Sequence, residues 1–76
     1  MEIKILNENR DFKGNFEPQI IAYMKGEQLV AEIAFNKCDC QEIERDLGQQ
    51  DYVIGPLSKT IALTNIASLN DLRKLV

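Results

Sequence analysis

Apolar and polar residues alternate between Pro18 and Phe35 on either side of Gly26-Glu27. A two-residue loop at those positions pairs Met24 with Leu29, Ala22 with Ala31, Ile20 with Ile33 and Pro18 with Phe35. Partners across an antiparallel ladder point the same way, so all eight share one sheet face. The other face takes Lys25/Gln28, Tyr23/Val30, Ile21/Glu32 and Gln19/Ala34, a more polar set. Moving the loop to Lys25-Gly26 sets Met24 against Glu27 and mixes the faces. Glycine at the first loop position is also what a type II′ turn requires. The pattern therefore predicts a hairpin with a fixed register over 18–35.

The remaining segments are read around this hairpin. Glu2 to Leu6 alternates as a short strand with Ile3 and Ile5 on one face. Residues 7–17 are polar and irregular, with Phe12 and Phe16 among them. From Asn36 to Gly48 the period changes to that of a helix. Asp39 stands as its predicted N-cap, with Glu42 three positions on. Cys40, Ile43 and Leu47 fall on one arc, and Gly48 fits the residue just past the end. Tyr52 to Ile54 and Thr60 to Leu63 read as two further strands around Gly55–Lys59, a second and looser hairpin. A last helix is predicted to begin between Thr64 and Ser68, with Ser68 and Asp71 as a capping pair. Ile66, Leu69, Leu72 and Val76 lie on one side of it. The predicted fold is a single α+β domain over 1–76, of order β-β-β-α-β-β-α. It has an antiparallel sheet of four to five strands, with both helices packed on the face that carries Ala22, Met24, Ile33 and Phe35.

Composition narrows the function classes. At 76 residues the chain has room for one small core and little for a deep enclosed pocket. Nine Lys/Arg oppose twelve Asp/Glu, for a net charge of −3. Five basic and six acidic groups lie in residues 1–38, and four and six in residues 39–76. Neither half is a basic patch able to neutralise phosphates, so direct nucleic-acid binding is not expected. No leader-like segment opens the sequence, and no apolar run approaches the roughly 20 residues that span a bilayer. Two cysteines cannot make the disulfide framework of a small secreted domain, which favours a reducing cytoplasm and no membrane association.

The candidate chemistry is sparse. There is no histidine, which removes the commonest general base near neutral pH and the commonest metal ligand. No catalytic constellation or cofactor motif is recognisable, so the expectation is a non-enzyme without a cofactor. Cys38-Asp39-Cys40 offers two thiols that could hold a soft metal or do redox chemistry. Against this, the spacing is C-x-C, no second ligand pair exists, and an unpaired cysteine is usually a buried, inert hydrophobe. Asp39, Glu42 and Asp46 fall within about 60° of one another on the first helix, and residues 39–51 hold five acids against one base. Such a stripe is either a solvated helix face or a contact for a basic surface. Phe12 and Tyr23 are candidate aromatic contacts, Tyr23 on the predicted open sheet face.

These observations favour a small acidic interaction protein, an inhibitor or adaptor of the kind that bacteria and their phages use. Its expected partner is another protein with a basic surface, contacted through Asp39, Glu42, Asp46, Tyr23 and Phe12. The alternative is a metal-binding or redox protein using Cys38 and Cys40. A homodimer through an open sheet face or strand edge is compatible with the first reading.

Overall fold

The structure is a computed structural model that describes residues 1–7, 16–59 and 65–75. Four strands, β1 (Glu2–Ile5), β2 (Gln19–Lys25), β3 (Gln28–Ala34) and β4 (Tyr52–Pro56), form one sheet in the order β1-β3-β2-β4. Two helices, α1 (Lys37–Leu47) and α2 (Leu69–Leu75), complete an α+β fold.

The hairpin has the predicted register. Met24 pairs with Leu29, Ala22 with Ala31 and Ile20 with Ile33, and the ladder ends at Gln19 opposite Ala34, one pair short of Pro18 and Phe35. Gly26 has φ +64° while Glu27 stays at negative φ. A type I′ turn needs positive φ at both loop positions and a type II′ turn only at the first, so this is the type II′ turn that the glycine predicts.

The first helix starts earlier than its sequence suggests. Asn36 is the N-cap, in extended conformation, and its side chain accepts the Asp39 N–H at 2.9 Å. Asp39 is therefore the third helical residue, not the cap. Its carboxylate reaches back to accept the Phe35 N–H at 2.9 Å, a variant of the reciprocal capping box. At the other end the Gln50 N–H donates to the Leu47 carbonyl at 2.9 Å. Gly48 lies between them with φ 59° and ψ −115°, a second turn that a Cβ would strain.

The two helices cover opposite faces of the sheet, which corrects the expectation that both lie on one. Ile20, Ala22, Leu29, Ala31 and Val53 pack with Leu69 and Leu72 of α2. Ile21 and Ala34 pack with Ile43 of α1, flanked by Leu6, Cys40, Leu47, Tyr52 and Ile54. The expectation of one half-open face rested on Glu32, Lys25 and Gln19. It underweighted Ile21 and Val30, both fully buried. The run Ile20-Ile21-Ala22-Tyr23 is buried at every position, which is the mark of a strand covered on both sides.

The sheet is mixed. β1 lies parallel to β3, with Glu2 opposite Val30 and Ile5 opposite Ile33, so the expectation of antiparallel strands throughout is corrected at this edge. The 13 residues from 6 to 18, between β1 and β2, are long enough to set β1 beyond β3 instead of beside its successor in sequence. β4 pairs antiparallel with β2 and continues through Gly55 to Pro56, where the sequence suggested a stop at Ile54. Proline is tolerated on an edge strand, where no ladder donor is needed. A short 3-10 turn, Leu57–Lys59, follows. The predicted strand Thr60–Leu63 lies outside the described residues, as do Phe12 and Val76. In α2, the Ser68 hydroxyl accepts the Asp71 N–H at 3.4 Å and the Asp71 carboxylate accepts the Ala67 N–H at 3.3 Å. This is the expected capping pair.

Candidate functional site

The sheet face under α1 carries the polar residues that the fold brings together. Tyr23 projects from β2 and Glu32 from β3 toward α1, as their register dictates. Asp46 is exposed on the last turn of α1. These three, with Lys25, Ile43, Leu47 and Gln50, line a shallow cleft of about 250 Å3. Gln50 is anchored there by a hydrogen bond from its side-chain amide to the Met24 carbonyl.

The cleft is acidic. The Tyr23 phenol is pushed above its ordinary value of 10.0, first by desolvation, then by the charges of Glu32 and Glu2, a hydrogen bond to Glu32, and the charge of Asp46. Three carboxylates thus act on one phenol, with Lys25 as the cation lining the cleft. Across the helix, Glu44 accepts the Tyr52 hydroxyl at 3.2 Å. That contact pins the β4 side of α1 to the sheet and takes Glu44 out of the acidic cleft.

The sequence-predicted contact residues separate into distinct places. Asp46 and Tyr23 meet at the cleft. Glu42 is exposed on α1 but does not line it. Asp39 is 5% exposed and held by backbone groups at the helix start, so it offers no surface. The aromatic body of Tyr23 is buried under α1, contrary to the open face expected for it, and the residue is 8% exposed. Glu32 completes the cleft, and Glu2 acts on the Tyr23 phenol through its charge; both are absent from the sequence-based set. The signal for Glu32 was in the hairpin register, which sets it on the Tyr23 face, two residues along β3 from Val30, the cross-strand partner of Tyr23.

The two thiols do not converge. Residues two apart on a helix project about 200° apart. Cys38 is exposed, while Cys40 packs against the core beneath α1. Burial, then the charges of Glu44 and Asp39, push the Cys40 thiol above its ordinary value of 9.0, the opposite of the lowered value that favours a thiolate ligand or nucleophile. Among the described residues no group of three or more Cys, Asp or Glu side chains is arranged to hold a metal ion, and no helix is long and apolar enough to cross a membrane.

Compared with protein-family models, curated proteins and solved structures, the chain matches none.

Proposed function

We propose that this protein is an interaction module, an inhibitor or adaptor, that binds a basic segment of another protein at the cleft between α1 and β3. The reading is supported by one observation above the rest: Asp46 and Glu32 approach the Tyr23 phenol from different elements around a shallow depression. An arginine or lysine entering there meets carboxylates from two elements, Asp46 of α1 and Glu32 of β3, and pairs with them by charge-assisted hydrogen bonds. Glu42 on the adjoining helix surface extends the negative field and steers a basic partner toward the cleft. The shallowness of the depression suits a protruding side chain of a macromolecule better than an enclosed small molecule.

The test titrates an arginine-rich peptide into isotopically labelled protein. Amide shifts should concentrate at Tyr23, Glu32, Asp46 and Gln50, and Asp46→Lys with Glu32→Lys should weaken binding by about tenfold or more. Shifts spread evenly over the acidic surface, or equal affinity for the double variant, would refute the cleft as the site. Capture from host extract with the wild-type and reversed proteins then asks whether a cellular partner is lost with the same two charges.

A further inference from the structure

We infer that β1 is a self-pairing edge, through which two copies of the chain join their sheets antiparallel about a two-fold axis at Ile3. β1 is the outermost strand of the sheet among the described residues. The Leu6 N–H donates to the Ile33 carbonyl. In a parallel ladder alternate residues turn their backbone groups toward the neighbour. The register Glu2–Val30 and Lys4–Glu32 therefore directs the backbone of Glu2, Lys4 and Leu6 to β3, and that of Ile3 and Ile5 outward. Among the described residues no strand meets those outward groups.

The side chains fit a copy of themselves in a single register. Met1, Ile3 and Ile5 are 45%, 47% and 51% exposed, three of the four exposed large apolar residues among those described. They share the face of Ala31 and Ile33, and α2 lies farther along the sheet over β2 and β4. Glu2 and Lys4, both exposed, lie on the opposite face. An antiparallel partner must match like faces, so only registers that pair odd with odd and even with even positions are allowed. Centring on Glu2 sets Glu2 against Glu2, and centring on Lys4 sets Lys4 against Lys4. Centring on Ile3 sets Glu2 against Lys4 of the second copy, twice by symmetry. It also sets Ile3 against Ile3, and Met1 against Ile5.

Backbone geometry is compatible with this register, as with any that pairs odd positions with odd, and the Glu2 and Lys4 charges are what select it. The residues with outward N–H and C=O groups, Ile3 and Ile5, become the hydrogen-bonded pairs. Glu2 and Lys4 become the non-hydrogen-bonded pairs, in which side chains approach more closely. Each Lys4 then lies between Glu32 of its own sheet and Glu2 of the second copy. β4, the other outer strand among the described residues, carries Pro56, a residue that blunts edges against such pairing. Four-residue strands make a contact smaller than the roughly 1,200 Å2 of stable complexes, so the dimer belongs to high protein concentration.

The experiment is sedimentation velocity up to about 1 mM protein, a range that captures weak association, on wild type, Glu2→Lys, Lys4→Glu and a one-to-one mixture of the two variants. Wild type should dimerise with rising concentration. Each variant alone sets like charges opposite twice, and its dissociation constant should rise roughly tenfold or more. The mixture restores opposite charges at both positions and should form a heterodimer, which also shows that both variants fold. A wild type that stays monomeric throughout, variants that dimerise as well as wild type, or a mixture no better than its components would each overturn the inference. An edge that serves only an extended segment of a different protein would give the first of these results.

Discussion

The Asp39 carboxylate accepts the Phe35 N–H at 2.9 Å across the junction between β3 and α1. With Asn36 holding the Asp39 N–H at the same distance, the junction is locked from both directions. This bond decides what Asp39 is for. A buried carboxylate whose oxygen satisfies a buried backbone donor cannot also be part of a docking ridge.

Asp39→Ala leaves the Phe35 N–H without this acceptor and should cost about 1–3 kcal/mol of stability. Asn36→Ala removes only the cap and should cost about 1 kcal/mol. Glu42→Lys touches neither and should fall within about 0.5 kcal/mol of wild type. Urea unfolding of the three variants checks the order. An Asp39 variant as stable as the Glu42 variant would return Asp39 to the surface.

Covering the sheet on both faces makes adjacent residues of β2 equally costly to truncate. Ile20 belongs to the core under α2 and Ile21 to the core under α1, and they are 2% and 0% exposed. Ile20→Ala and Ile21→Ala should each cost about 2–5 kcal/mol. On a sheet with one wet face only one of the pair would do so. Equilibrium unfolding separates the two architectures, since a near-neutral Ile21→Ala would place water where α1 lies.

The hairpin was legible in the letters because side-chain period and turn chemistry agree there: one register keeps the faces unmixed and puts glycine where positive φ falls. Helix existence was legible from the arc of Cys40, Ile43 and Leu47, and its C-terminal end from Gly48. The side of the sheet that each helix takes was not, because periodicity reports which residues of an element are buried and not against what. The clue lay in β2 itself, where four successive buried positions imply cover on both sides. The parallel placement of β1 was hidden for a related reason. A four-residue strand carries the same alternation whichever way its neighbour runs. The cleft was half legible: Asp46 and Tyr23 came from charge and aromaticity, while Glu32 required knowing that α1 roofs its face.

The two cysteines should differ in reactivity. Cys38 is exposed, while Cys40 is packed and its thiol is raised by burial first and then by Glu44 and Asp39. Under native conditions at pH 8, a maleimide present at one equivalent should label Cys38, with Cys40 following only in denaturant. Peptide mapping by mass spectrometry reads the ratio. Equal labelling of the two would mean that α1 does not hold Cys40 against the sheet.

Stability should fall as the solution becomes alkaline, and the groups responsible can be named. The Tyr23 and Tyr52 phenols are both raised above 10.0, each by desolvation first, then mainly by Glu32 and Glu2 at Tyr23 and by Glu44 at Tyr52. The Cys40 thiol is raised above 9.0. For each, the unfolded chain releases its proton at a lower pH than the folded one. Below the unfolded values the native state keeps its full stability. Above them the unfolded state binds fewer protons, and stability declines as pH rises through the folded values. Urea midpoints should therefore be flat with respect to these groups up to about pH 8 and drop beyond pH 9. Tyr52→Phe removes one titrating group and should make the drop shallower. Ultraviolet titration of the phenolates supplies the direct reading: both should ionise above pH 10.0 in the folded protein. A phenol ionising below that value would mean that the carboxylates around Tyr23, or Glu44 beside Tyr52, are not where the fold puts them.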